Sequence, residues 1–334
     1  MSQSARTFWR AAIVRHETIL LLVLIAEIVL FNTLGRRFLT TDNVANIVRQ
    51  SVEIGLLALV MTPVILTGGI DLSVGSLLGL CAVVFGMLWH DAGLSPWLAG
   101  LGAIAVGACG GGVNATLIAR LGLPPLIVTL GTFSLFRGLA EALTGGTRSF
   151  TGFPDSFLAL GNGFFLGVPV QAWVFVLVAI AVWLLVHRTT FGRSFRAIGF
   201  APEGARYAGL PVERRLGLAY LLAGAVAGLA AVIFISRVTE ARANAGMGYE
   251  LAAITAVVLG GTSIFGGVGT VHGTLLGVAA VAVLANGLSR IVAITAISRE
   301  LSGLLTGALL LLALAAGALV KSLTQRRSCP PVGK

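Results

Sequence analysis

Apolar residues recur in long runs from Ile19 to Val320, broken by charged residues or Gly/Pro-rich stretches, and no polar segment between them is long enough to fold alone. A helix rises about 1.5 Å per residue, so about 20 apolar residues match the roughly 30 Å hydrocarbon core of a bilayer. Reading the runs between breaks predicts helices over 17–34, 44–66, 72–90, 96–118, 124–144, 170–187, 215–236, 249–265, 270–290 and 301–320. The third and eighth are short or glycine-interrupted. The pattern predicts an all-α integral membrane protein: one domain over 1–334 with about ten transmembrane helices, Gly-rich breaks and a short helix outside the lipid.

Composition sharpens that picture. Of 334 residues, 57% are hydrophobic, 11% are charged and 44 are glycine, against roughly 25% charged in a soluble domain. The net charge of +10 does not indicate nucleic acid, because the arginines punctuate apolar segments instead of forming one basic face. The lysines are Lys321 and Lys334 alone, so no Gly-Lys-Ser/Thr phosphate loop exists and the chain is not itself a P-loop ATPase. Cys81, Cys109 and Cys329 are too scattered for a disulfide framework or thiolate metal site. The first apolar run is followed by Gly35-Arg36-Arg37 rather than a small-residue cleavage site, which reads as a retained anchor.

Cytoplasmic loops carry the Lys/Arg excess in membrane proteins. With both termini inside, fourteen basic residues fall on the inner side and seven on the outer. The strongest contribution is the loop from His187 to Arg215, with Arg188, Arg193, Arg196, Arg206, Arg214 and Arg215. That loop also predicts a short helix. Pro202 suits its first position, Glu203 its positive end, Gly209 a left-handed C-terminal position, and Pro211 forbids continuation. Ala201 caps poorly and Gly204 weakens the interior. Two readings stand for it: an interfacial segment drawn to anionic lipid, or a docking element for a cytoplasmic partner.

Two Gly-rich stretches interrupt the apolar pattern. Gly68-Gly69-Ile70-Asp71-Leu72-Ser73 ends one helix and offers Asp71 to begin the next. It reads as a structural turn or as a discontinuous helix lining a cavity, as transporters use. From Gly260 to Gly273 lie six glycines, at 260, 261, 266, 267, 269 and 273, which excludes a straight helix. Within spans, Arg49 with Glu53 and Arg137 with Glu141 are four apart and are expected to pair on one helix face, leaving Glu27 unpaired. Asn114 and Asn286 read as interhelical hydrogen-bond formers. The four histidines, at 16, 90, 187 and 272, are scattered, and no zinc spacing or catalytic pair emerges. The chain reads as a non-enzyme.

Taken together, Gly68 to Ser76, Asn114, Pro124-Pro125-Leu126-Ile127-Val128-Thr129-Leu130-Gly131-Thr132, the Gly192-Arg193 loop and Ala256 to Gly267 make the chain resemble the inner-membrane permease subunits of bacterial ABC importers for ribose, other monosaccharides and autoinducer-2. The resemblance covers nearly the whole chain and is greatest to the autoinducer-2 and rhamnose branches, at Gly79-Leu80-Cys81 and Trp183 to Arg193.

The resemblance implies a multi-pass protein of the bacterial inner membrane that works by alternating access. Its partners would be a cytoplasmic ATP-binding subunit holding ATP and Mg, a periplasmic sugar-binding protein, and a second permease, identical or different. This chain would bind no cofactor of its own. The docking helix carries over to Pro202, Glu203, Gly204, Ala205, Arg206, Tyr207 and Gly209, though Ala201 and Gly204 depart from the Asn and Ala that relatives carry there. Gly68, Gly69, Asp71, Ser73, Asn114, Thr132, Gly260, Gly261 and Thr262 are the candidate pathway residues. The rival class is an ion-coupled secondary transporter using Glu27 or Asp71.

Overall fold

The computed structural model describes residues 16–34 and 38–295, the side chains of 291–295 excepted. Its elements are α1 (His16–Leu34), α2 (Thr41–Leu66), α3 (Val74–His90), α4 (Pro96–Ala115), α5 (Pro125–Thr144), α6 (Asp155–Asn162), the hairpin β1 (Phe164–Phe165) and β2 (Val168–Pro169), α7 (Val170–Trp183), α8 (Thr190–Phe200), α9 (Pro202–Tyr207), α10 (Val212–Val238), α11 (Tyr249–Leu259) and α12 (Val271–Thr295). One π-turn each extends α4 to Arg120 and α7 to Arg188.

Seven helices among the described residues are long and apolar enough to cross a membrane. The expected spans at 72–90 and 249–265 are shorter helices instead. α11 ends at Leu259 because Gly260 and Gly261 follow, and its 11 residues reach only about 16 Å. The expected span at 301–320 lies outside the described residues. Two segments carry elements that the apolar pattern does not predict. Residues 190–200 form α8, capped by the Thr189 hydroxyl, which accepts from Phe191 N at 3.1 Å. Residues 155–169 form α6 and the hairpin.

The core is built around α10, whose most extensive contact is with α4. Gly107 and Gly111 of α4 face Gly224 and Gly228 of α10 so closely that a Cβ on Gly228 would stand 2.7 Å from Ala103 O and Ile104 Cα. Absent side chains let the two backbones touch, which is how helices associate where lipid removes the hydrophobic drive. α2, α3 and α6 pack around this pair, while α7 lies against α2 and α1 against α12. Large apolar side chains stay exposed on α1 and α5, such as Leu22, Val29, Ile127 and Leu130, as lipid-facing surfaces require.

At the end of α3, Arg148 grips Asp91 through two hydrogen bonds, at 2.5 and 3.0 Å. Those bonds, and a further one from His90, hold the Asp91 carboxyl below the usual carboxylate range. At the opposite end lie the π-turns of α4 and α7 together with α8 and α9, where the arginines concentrate.

Candidate functional site

The first break runs from Thr67 to Ser73, with Gly68 left-handed at φ +83°. Asp71 Oδ1 accepts from Ser73 N at 2.8 Å and from Ser73 Oγ at 2.6 Å. Ser73 Oγ accepts from Asn114 Nδ2 at 2.8 Å, and Asn114 Oδ1 accepts from the Thr132 hydroxyl at 2.8 Å. Thr129 donates to Ile70 O at 3.1 Å. Four of the nominated pathway residues, scattered over 61 positions of sequence, thus form one buried chain joining the break to α4 and α5. Beside it, the Tyr220 hydroxyl is buried without a partner among the described residues and fills the space over Gly69.

The second break is held by backbone. Ser263 N donates to Val268 O at 2.8 Å, and Gly266 N to Ser263 O at 2.9 Å. Gly261, Gly266 and Gly267 are all left-handed, conformations that side-chain-bearing residues resist. Gly260 lies against Gly273 at the start of α12, where a Cβ would fall 2.5 Å from Gly273 C. Thr262 is buried and its hydroxyl has no partner among the described residues.

The two breaks meet. Gly267 N donates to Leu66 O at 2.9 Å, and a Cβ on Gly266 would come 2.8 Å from Gly68 N. Gly199 of α8 sits on this junction: its own Cβ would strike Leu66 O and Gly267 N. Arg196 of α8 adds a hydrogen bond to Gly269 O at 3.4 Å and another to Val186 O at 3.2 Å.

Two residues past the end of α8, Pro202 starts α9 at the expected position, and Gly209 is left-handed at φ +79°. Ala201 offers no side-chain cap. Ala205 is buried with Ile198 and Val212, which anchors the helix on α8 and α10. Arg206 is not free for a partner, since it pairs with Glu203 at 2.6 Å and Glu213 at 2.9 Å. The Glu213 hydrogen bond, then the nearby charges of Glu203 and Glu213, raise the Arg206 pKa further above its ordinary range. The exposed large hydrophobic side chains of the unit are aromatic: Phe200 is 71% exposed and Tyr207 90%. Phe200 was not foreseen as part of this surface, because α8 was read as loop.

The intrahelical ion pairs expected from spacing are not formed. Glu53 pairs instead with Arg237 of α10 at 2.6 Å, while Arg49 donates to Asn162 O at 2.8 Å and stacks over Phe164. Arg137 turns inward to Ala243 O and Ala245 O. Glu27 keeps one oxygen without a partner among the described residues. Asn286 accepts from Asn43 Nδ2 at 3.0 Å, the interhelical bond anticipated for it. Two of the scattered histidines converge: His272 accepts from Trp183 Nε1 at 2.9 Å, with the His187 ring 5.3 Å from that of His272.

None of the nominated pathway residues lines the cavity of about 280 Å³ between α2 and α12. That space is bordered by Ile47, Gln50, Ser51, Ile54, Arg237 and Tyr249, and by the α12 face at 278–285. Its lining is mostly apolar, with Arg237, the partner of Glu53, on its border.

Comparison with known proteins fits this architecture. The family described as "Branched-chain amino acid transport system / permease component" matches residues 43–314. The chain is 40% identical over 301 residues to the autoinducer 2 import system permease protein LsrD of Yersinia enterocolitica, covering 89% of each chain. It is 38% identical over 302 residues to the protein of the same name in Photorhabdus luminescens, again 89% of each. The identity to that of Enterobacter sp. (strain 638) is 39% over 299 residues, 88% of this chain and 90% of the relative.

Proposed function

This chain belongs to the permease-component family of branched-chain amino acid transport systems and is a multi-pass inner-membrane protein; from that premise we propose that it imports a monosaccharide-like solute of the autoinducer-2 type. A separate cytoplasmic subunit supplies the energy by hydrolysing ATP with Mg, a periplasmic binding protein delivers the solute, and a second permease completes the pathway. The Arg-rich end faces the cytoplasm, as do both termini, following the distribution of basic residues. The two short apolar helices, α3 and α11, add to the seven described helices that are long enough to cross the membrane.

The observation that carries the mechanism is the seat of Gly199 on both breaks. A push on Phe200 and Tyr207 travels through α8, which has no room to slide over Leu66 and Gly267, into the segment that holds Asp71 and Ser73. Rigid elements with close backbone contact move together. The solute path runs past Asp71, Ser73, Asn114 and Thr132 and the turn at Gly260, Gly261 and Thr262. It needs only weak contacts, because a tight site would slow release. An ion-coupled carrier using Asp71 is disfavoured, since that carboxylate is already engaged by Ser73.

The test is purification in mild detergent with the partners that accompany the chain. The wild-type chain is expected to bring down a P-loop ATPase, and Tyr207→Ala to lose about 90% of it, as loss of an exposed aromatic anchor does. Arg206→Glu, which opens α9 from α10, is expected to weaken capture less. Undiminished capture by Tyr207→Ala would remove α9 from the docking surface.

A further inference from the structure

α3 carries glycines at 75 and 79, one turn apart on a single face. Two charged heads occupy the space those missing side chains leave. A Cβ on Gly75 would run into the Glu250 carboxylate, whose Cδ would lie 3.1 Å away, and a Cβ on Gly79 would come 2.7 Å from Arg137 Nη1. Both residues are more than nine-tenths buried, Arg137 at 8% exposure and Glu250 at 7%.

Neither head is satisfied. Arg137 spends Nη1 on Ala243 O and Ala245 O, leaving Nε and Nη2 without partners among the described residues. Glu250 Oε1 accepts from Gly248 N at 3.2 Å, and Oε2 has no partner among the described residues. The two feel each other's charge but share no hydrogen bond. Buried charged groups with open valences are costly, so a state that supplies partners to both is favoured.

These heads continue the polar chain already described. On the buried face of α5, Thr129 meets the first break, Thr132 meets Asn114, and Arg137 follows five residues on. From Thr129 to Arg137 the rise is about 12 Å. The nominated pathway residues stand at one end of this lane and the Arg137–Glu250 pair at the other.

We propose that Arg137 and Glu250, across the glycine face of α3, form a second solute-contacting step that reads the hydroxyl groups of a neutral polyhydroxylated solute. A carboxylate accepts from hydroxyls and a guanidinium donates to hydroxyl or ring oxygens, so the pair offers complementary atoms to adjacent oxygens of one small molecule. The assignment rests on the importer reading and adds to it the residues that discriminate the cargo.

The experiment uses the assembled complex in proteoliposomes with its ATPase and binding protein. Uptake of autoinducer-2 is compared with uptake of an analogue lacking one hydroxyl, for the wild type, Glu250→Gln, Arg137→Lys and the exposed control Glu141→Gln. In Glu250→Gln we expect autoinducer-2 uptake to fall about tenfold and the preference over the deoxy analogue to collapse towards one, with ATP hydrolysis retained. Arg137→Lys keeps the charge and is expected to move the preference in the same direction, so it decides the matter should Glu250→Gln fail to assemble. An unchanged preference overturns the proposal, whether uptake stays normal or falls equally for both solutes, because a purely structural role lowers both alike. Absence of ATP-dependent autoinducer-2 uptake by the wild-type complex would instead overturn the importer reading.

Discussion

Two of the chain's departures from helix at glycine pairs, after α2 and after α11, are held in opposite ways. After α2, the turn at Gly68 and Gly69 is fixed by side chains: Asp71, Ser73, Asn114 and Thr132 pass hydrogen bonds from one helix to the next. After α11, the turn at Gly260 and Gly261 is fixed by the lack of them, with backbone laid on backbone at Gly273 and left-handed glycines at 261, 266 and 267. Backbone freed from helical pairing at membrane depth must be covered by protein or by a water-filled cavity. One break meets that demand with polar groups and the other with proximity. The first is therefore tunable by changing one hydrogen bond, while the second leaves no room for an added side chain.

That contrast is most open to breaking at the second break. Gly260→Val places methyl groups where Gly273 backbone lies, and we expect a loss of about 3 kcal/mol or more, seen as collapse of the monodisperse peak on size exclusion. A folded, thermally unchanged Gly260→Val protein would show that α11 and α12 have slack. At the first break, Asn114→Ala cuts two side-chain hydrogen bonds without creating a clash. Hydrogen bonds inside membranes average well under 2 kcal/mol, so we expect about 1–2 kcal/mol, a modest fall in thermal midpoint with a larger fall in uptake. Equal damage from both substitutions would erase the distinction.

Most helices were legible because an apolar run bounded by charges or glycines has one meaning in lipid. The starts at Pro96 and Pro125, and the stop at Gly145, sit within a residue or two of the expected places. α8 escaped because its glycines and arginines read as punctuation, yet Gly192 and Gly199 are there for close contact with Val186 and Leu66. The clustering of Asp71, Ser73, Asn114 and Thr132 lies beyond any local pattern; the candidates were named one by one, and only packing shows that they touch. Partner choice was the least legible. A spacing of four makes Arg49 and Glu53 neighbours on a helix, but Arg237, 184 positions from Glu53 along the chain, holds the better geometry in a site Arg49 does not reach. The same blindness concealed Arg137 behind its apparent pairing with Glu141.

Central to this account is the claim that α8 carries motion from the docking surface into the junction of the two breaks. The most direct measurement is of ATP hydrolysis and solute uptake on the same proteoliposomes containing Arg196→Ala, which removes the hydrogen bonds from α8 to Gly269 O and Val186 O without adding an atom at the Gly199 junction. The account predicts that the ATPase still binds and hydrolyses ATP, while solute moved per ATP falls about tenfold. An unchanged ratio of transport to hydrolysis, in a variant shown to be assembled, would contradict it.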